Sequence, residues 1–315
     1  MPTQIEVKGI TKEFGKAVVL ENISLNIPPR KIYGIIGESG SGKTTLLKTL
    51  IGYWKPDDGE VLYEGRNLEK DIKFIKQMVG FATQDNCVYP KLSVRENLEY
   101  FGAMSNVPNA TLQRNIDKIL DLVELKHEDN KLADELSGGM QRRLDIACAL
   151  IHNPKILILD EPTEDLDPLL RRDIMGLIKK INENDTTVII TSHLLDETDS
   201  LCDEIAILHN GKVLEEGTPD QLKDNYSKNE EIHLVTRGKK YRAIVNKVKH
   251  KRGITKAVVE GGKLIIFSKD AERTLYHVLR AVDKTDKLIE IDLKKPTLTE
   301  VFESLIKKAD KEKRG

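Results

Sequence analysis

Three cysteines in 315 residues, Cys87, Cys148 and Cys202, are too few and too far apart for a disulfide framework or a metal-binding cluster. A reducing cytoplasm is the expected setting. No run approaches the ~18 apolar residues that a membrane-spanning helix needs. Work at a membrane would therefore require a partner to supply the span. The N-terminal stretch holds Glu6, Lys8, Lys12 and Glu13 and lacks the apolar core of a secretion signal. A formal net charge of −1 provides no overall attraction to nucleic acid or acidic lipid. What is abundant is the ordinary material of a globular chain, with 39% apolar and 32% charged residues.

The near-zero net charge hides an asymmetry. Residues 226–315 carry 23 Lys+Arg against 13 Asp+Glu, whereas the preceding part carries 27 against 38. The two parts are separate electrostatic units, so the expected organisation is one large domain over 1–225 and a small one over 226–315. In the first, residues 4–8 and 17–27 alternate apolar and polar side chains, as half-buried antiparallel strands do. Three runs, Lys31–Ile36, Lys155–Leu159 and Thr187–Thr191, are apolar almost throughout and suit parallel strands covered on both faces. The stripe Leu46, Leu47, Leu50, Ile51 and the stripe Met140, Leu144, Ala147, Ile151 mark helices between them. Residues of about 85–153 read as a helical insertion, opened by Ser93 and Glu96 at capping-box spacing. Asn210-Gly211 signals a hairpin, and a short helix near Pro219–Asp224 closes the domain. The order strand, helix, strand, strand, helix, strand, helix then predicts a ferredoxin-like α+β unit, with strands at Ile232–Thr236, Ile254–Val259, Lys263–Ser268 and Leu288–Leu293.

Chemistry enters at Gly37-Glu38-Ser39-Gly40-Ser41-Gly42-Lys43-Thr44, which fits G-x-x-x-x-G-K-[ST] and lies between a buried strand and an amphipathic helix. Glycines let the backbone curl until several amide N–H groups face one point, and the helix N-terminus adds partial positive charge there. Lys43 brings a full charge to the β- and γ-phosphates, and Thr44 offers a hydroxyl to Mg²⁺. A loop that merely turned the chain would not need Lys and Thr at these positions. Thr45 continues the same first turn. Asp160 ends the apolar run at Leu159 and Glu161 follows it. Alone, Asp160-Glu161-Pro162 could be a strand-ending turn. Beside a phosphate loop, the first carboxylate suits Mg²⁺ and the second suits an attacking water.

Leu136-Ser137-Gly138-Gly139-Met140-Gln141 resembles the signature motif of ABC ATPases, and with the two phosphate-site motifs the resemblance covers about residues 4–225. It implies an α/β P-loop NTPase cassette with an antiparallel β subdomain and a helical insertion, followed here by the small α+β domain. It implies ATP hydrolysis with Mg²⁺ in a head-to-tail pair of cassettes. Ser137, Gly138 and Gly139 of one subunit then face the phosphates held by Lys43 of the other. As Ser137 is also a natural N-cap, both roles are open to it. By position, Phe14 corresponds to the residue that stacks on adenine, although a core aromatic beside the strand fits equally well. Gln84 corresponds to the residue joining Mg²⁺ and attacking water to the insertion, and His193 to the one that contacts the γ-phosphate. The expected catalytic set is thus Glu161, His193 and Gln84, and the expected metal set Thr44, Gln84 and Asp160. The nucleotide set is Phe14, Gly37 to Thr45, and Ser137 to Gly139. One departure stands out: in Thr163-Glu164-Asp165-Leu166-Asp167-Pro168 the family usually has a small residue before Leu-Asp, and Asp165 there adds negative charge near the dimer interface and the partner's phosphates.

Met140 before Gln141, and Pro296-Thr297-Leu298-Thr299-Glu300-Val301-Phe302 near the C-terminus, resemble the drug-export and sodium-export branch. Such subunits pair with a separate integral-membrane permease and sit on the inner face of the membrane. Tyr89, Leu92 and Val94 are candidate permease contacts, or else packing within the insertion. No nucleic-acid partner is expected. Two alternatives stay open: a non-transport ABC ATPase acting on ribosome or nucleic acid, and an ABC importer. The transported substrate is not written in this chain.

Overall fold

The computed structural model describes residues 4–226, 230–251, 253–294 and 297–314, and divides the chain into two compact units, Met1–Pro219 and Asp220–Gly315. Pro296 of the C-terminal motif lies outside the described residues.

In the first unit the elements run β1 (Ile5–Phe14), β2 (Ala17–Ile27), β3 (Ile32–Ile36), α1 (Lys43–Leu50), β4 (Asp58–Tyr63), β5 (Arg66–Asn67), α2 (Ile72–Met78) and β6 (Val79–Ala82). They continue through α3 (Val94–Met104), α4 (Asn109–Leu122), α5 (Gly138–Leu150), β7 (Ile156–Leu159), α6 (Pro168–Glu183), β8 (Thr187–Ser192), α7 (Leu195–Leu201), β9 (Glu204–His209) and β10 (Lys212–Gly217). The three apolar runs become β3, β7 and β8, with every residue buried. They lie in a six-stranded sheet of order β10-β9-β3-β8-β7-β6. All neighbours pair in parallel except the β9–β10 hairpin, which turns through Asn210 and Gly211, both at positive φ. Parallel pairing forces the connections to cross over the faces, and this buries the strands on both sides.

The alternating segments pair as β1 and β2 in an antiparallel sheet of order β2-β1-β4-β5. Ile5, Val7 and Leu25 of that sheet share one core with Ile35, Ile158 and Ile189 of the parallel sheet and with Leu46, Leu47 and Leu50 of α1. The Tyr63 hydroxyl donates to the carbonyl of Leu50 at 2.7 Å and so ties β4 to the end of α1. The insertion is helical, and its first helix carries the predicted capping box between Ser93 and Glu96.

The second unit holds almost all of α8 (Pro219–Tyr226), which the sequence alone assigns to the end of the first domain, then β11 (Glu230–Thr236), α9 (Tyr241–Val248), β12 (Ile254–Glu260), β13 (Lys263–Ser268), α10 (Ala271–Asp283), β14 (Leu288–Lys294) and α11 (Leu298–Arg314). The antiparallel order β12-β13-β11-β14 is that of the ferredoxin-like arrangement. Ile232, Leu234, Leu264 and Ile266 pack under Tyr241, Ile244 and Val248 of α9 and Val278 and Val282 of α10.

One side chain pins the turn after β11 to the turn before β14. The carboxylate of Asp286 accepts from the amides of Lys240, Gly238 and Lys287 and from the Thr236 hydroxyl, at 2.8–3.1 Å. These donors, the Lys240 amide foremost, hold its pKa down at about 2. A carboxylate with a depressed folded-state pKa stabilises the fold above its unfolded pKa, and that contribution disappears as pH falls through the folded value. Asp286→Asn should therefore lower the melting temperature of the full chain at pH 7. The gap to the parent should narrow as the pH is taken from about 4 toward 2 in thermal melts.

Candidate phosphate-binding and hydrolysis site

The loop after β3 has little room for side chains. A Cβ on Gly37 would lie 2.3 Å from the Leu208 carbonyl, and Gly42, at φ 108°, would press one against Leu20 and the Val19 carbonyl. The loop is also tied by backbone bonds from Gly37 N–H to Ser192 O and from Gly211 N–H to Ser41 O. Gly42 caps α1 without offering a side chain, so the first-turn amides are left to other acceptors. Thr44 and Thr45 stand in that turn, half-buried. The Ser41 hydroxyl oxygen is buried with no hydrogen-bond partner, a costly arrangement for a polar atom unless a ligand supplies one. Glu38, Ser39 and Gly40 are exposed on the outer side of the loop.

Lys43 does not reach outward. Its side chain is 6% exposed, and the ammonium donates to Gly37 O at 2.8 Å and Glu38 O at 3.2 Å while pairing with Glu161 Oε1 at 3.0 Å. The other oxygen of Glu161 meets His193 Nδ1 at 2.8 Å. Lys43, Glu161 and His193, which come from the ends of three neighbouring strands, thus form a continuous chain of contacts. Glu161 has φ 48°, a left-handed conformation that is strained for a residue with a side chain. Asp160 is buried and accepts from the Thr191 hydroxyl at 2.6 Å, and the same hydroxyl oxygen accepts the Glu161 amide at 2.9 Å.

Gln84 follows β6 and is directed to the acidic segment: its side-chain nitrogen donates to Glu164. Asp165 beside it is at φ 59°, a left-handed position suited to the small residue that the family resemblance leads one to expect. Phe14 is 39% exposed, edge-on to Trp54 with ring centroids 5.2 Å apart and with the Lys12 ammonium 5.4 Å from its centroid. It is therefore not a core aromatic. Ser137 N-caps α5, accepting from the Met140 amide, and Ser137 and Gly138 are exposed at that helix start. In the insertion, Tyr89 is exposed and stacks edge-on with Tyr100. Val94, named with it as a possible permease contact, is fully buried because it faces into α3's packing, so it offers no surface.

Three residues beyond the motifs take part. Thr191 orders both carboxylate-bearing residues, Glu164 holds Gln84, and Arg142 lies buried behind Asp160 and Glu161. Arg142 was detectable in principle: Arg142 and Asp145, three apart, fall within a helix that is otherwise apolar on the same side. Asp145 is paired with Arg142 at 3.4 Å, yet burial raises its pKa to about 6.

The profile of the ABC transporter family matches residues 20–164. The chain is 37% identical over 240 residues to the bacitracin transport ATP-binding protein BcrA of Bacillus licheniformis, covering 76% of this chain and 78% of that one. It is 30% identical over 303 residues to the daunorubicin resistance ATP-binding protein DrrA3 of Streptomyces coeruleorubidus, covering 95% of each. Identity to ABC transporter G family member 23 of Dictyostelium discoideum is 39% over 224 residues, which is 70% of this chain but 32% of that longer one. Among solved structures, the dimeric ATP-binding cassette MJ0796 bound to ADP and Pi is similar with a TM-score of 0.61 and 30% identity, over 68% of this chain and 98% of that chain.

The geometry makes Thr191 the support of both carboxylate-bearing residues. Thr191→Val keeps the shape and removes the hydroxyl, leaving the buried Glu161 amide without its acceptor. Urea denaturation should register a loss of about 1–3 kcal/mol. A loss under about 0.5 kcal/mol, the ordinary scatter of a neutral change, would remove Thr191 from this role.

Proposed function

Because the chain belongs to the ABC transporter family, whose shared activity is ATP hydrolysis, we propose that it is the ATPase subunit of an exporter, driving a separate membrane permease through an ATP-sandwiched pair of cassettes. The observation that carries the reading is the contact chain Lys43–Glu161–His193 beside the curled loop. The export direction draws support from DrrA3 and BcrA, proteins named for drug resistance and bacitracin transport. The match to DrrA3 extends through the second unit. No helix among the described residues is long and apolar enough to cross a membrane, which leaves the span to the permease.

In the mechanism that follows, the γ-phosphate of ATP competes with Glu161 for the Lys43 ammonium, while the α1 amides and the Ser41 hydroxyl take the remaining phosphate oxygens. Glu161, freed from Lys43, accepts the proton of the attacking water, and His193 steadies the displaced carboxylate or the γ-phosphate itself. Phe14 offers its ring to adenine. Thr44, Asp160 and Gln84 bring hard oxygen donors, which suit Mg²⁺. Among the described residues no group of three His, Cys, Asp or Glu could hold a metal unaided, which fits an ion that takes further ligands from phosphate and water. When bound, that ion neutralises phosphate charge. The helix start at Ser137–Gly139 of a second copy, exposed at Ser137 and Gly138 and buried at Gly139, supplies donors to the far side of the phosphates.

Glu161→Gln should bind ATP, lose about two to four orders of magnitude in turnover, and accumulate as an ATP-bound dimer in size-exclusion chromatography. Turnover near that of the parent would remove Glu161 from the base role. Lys43→Ala should weaken ATP binding by about tenfold or more in equilibrium titrations. Affinity pull-down from detergent-solubilised membranes should recover an integral-membrane partner. Recovery of ribosomes or nucleic acid in place of a membrane protein would sink the transporter reading.

A further inference from the structure

The side chain that gathers the most backbone around the site is Arg142, one turn into the helix that Ser137 caps. The residue is 5% exposed. Nε donates to Pro162 O at 2.9 Å, Nη2 to Glu161 O at 2.8 Å and Asp160 O at 3.2 Å, and Nη1 to Thr83 O at 2.7 Å and Gln84 O at 3.2 Å. Asn86 Oδ1 and Asp145 Oδ2 complete its surroundings, each at 3.4 Å. Asp145 in turn accepts the Cys87 amide at 3.0 Å. Five carbonyls from two segments therefore converge on one cation, and those segments carry Gln84, Asp160 and Glu161.

The contact with Glu161 O has a particular consequence. Glu161 is strained at φ 48°, and such a conformation persists only where its surroundings over-determine it. Its amide is held by Thr191 and its carbonyl by Arg142, so both polar ends of the residue are fixed by side chains. Of these two, only Arg142 belongs to the signature helix.

We propose that Arg142 is a positioning residue for hydrolysis: anchored in the signature helix, it holds Glu161 in its left-handed conformation and the Gln84 backbone beside it, so that the helix contacting the partner's nucleotide also aims the base of its own site. This rests on the assignment of Glu161 as base and on the paired-cassette reading above. The guanidinium is suited to the task because its planar array of N–H donors can serve several carbonyls at once, whereas the three donors of an ammonium cannot reach both segments.

The test uses the full chain with Arg142→Gln, Arg142→Lys and the double variant Glu161→Gln/Arg142→Gln. Turnover is measured with saturating MgATP, and nucleotide affinity with the fluorescent analogue TNP-ATP. Arg142→Gln should lower kcat about tenfold or more while TNP-ATP affinity stays within about threefold, the pattern of an interaction that matters only in the transition state. Arg142→Lys should fall between it and the parent. In the Glu161→Gln background, removing Arg142 should cost a clearly smaller factor than in the parent, since only the Gln84 backbone is left for it to position. A kcat for Arg142→Gln within about twofold of the parent would overturn the proposal, as would the same fractional loss in both backgrounds. If Arg142→Gln does not fold, as judged by circular dichroism, Arg142→Lys decides: a reduced kcat at unchanged affinity supports the proposal and a parental kcat refutes it. Failure of the underlying reading is visible separately, because Glu161→Gln alone would then turn over like the parent with Arg142 intact.

Discussion

A buried ammonium must have an anion beside it, and the Lys43–Glu161 pair answers that requirement for the whole cassette. Neither side chain is more than 10% exposed, and an isolated charge in such a place costs several kcal/mol. The pair ties the start of α1, which follows β3, to the segment just after β7, and His193, just after the intervening β8, extends it. All three strands emerge from one parallel sheet, so their C-terminal ends open on the same edge, where ligands of open α/β sheets bind. In the proposed mechanism a triphosphate would satisfy Lys43 in place of the carboxylate and release Glu161 by the same exchange, so that nucleotide binding and activation of the proposed base would be one event.

Around that pair, secondary contacts decide where each group points. Thr191 serves two neighbouring carboxylate residues with one hydroxyl. Glu164 takes the Gln84 amide nitrogen, and because an ionised carboxylate only accepts, the Gln84 oxygen is left on the other side. Glu164, next to the Asp165 whose charge departs from the family pattern, is thus engaged within its own chain.

Much of the layout was legible from residues alone. The unbroken apolar runs at β3, β7 and β8, the hairpin at Asn210-Gly211, and the strand–helix order of the second unit are strong local signals, since each follows from periodicity or turn chemistry. β4, β5 and α2 were less visible: Val61 and Tyr63 alternate only briefly, and β5 has two residues, so its existence depends on its partner strand. In the candidate site, the phosphate loop and the Asp160-Glu161 step were readable as motifs. Thr191's two hydrogen bonds, the Gln84–Glu164 contact and the convergence of carbonyls on Arg142 join residues 18 to 80 positions apart. Spacing in one sequence does not encode such pairings. For Val94, read as either a permease contact or packing within the insertion, only the structure separates the two: the helix buries it entirely.

The close fit of Gly37 against Leu208 and the bond from the Gly211 amide to Ser41 set an order of events during synthesis. β3 finds its two sheet neighbours only in β8 and β9, after the helical insertion has been made. A ribosome that has released β1 to α5 has released the whole phosphate-loop sequence but not the strands that hold its backbone in shape. The nucleotide site is therefore one of the last features of the first unit to mature. Until β8 has emerged the nascent chain holds β3 with both sheet edges open, and until β9 follows with one still open, a long-range topology of the kind that folds slowly and is exposed to mispairing.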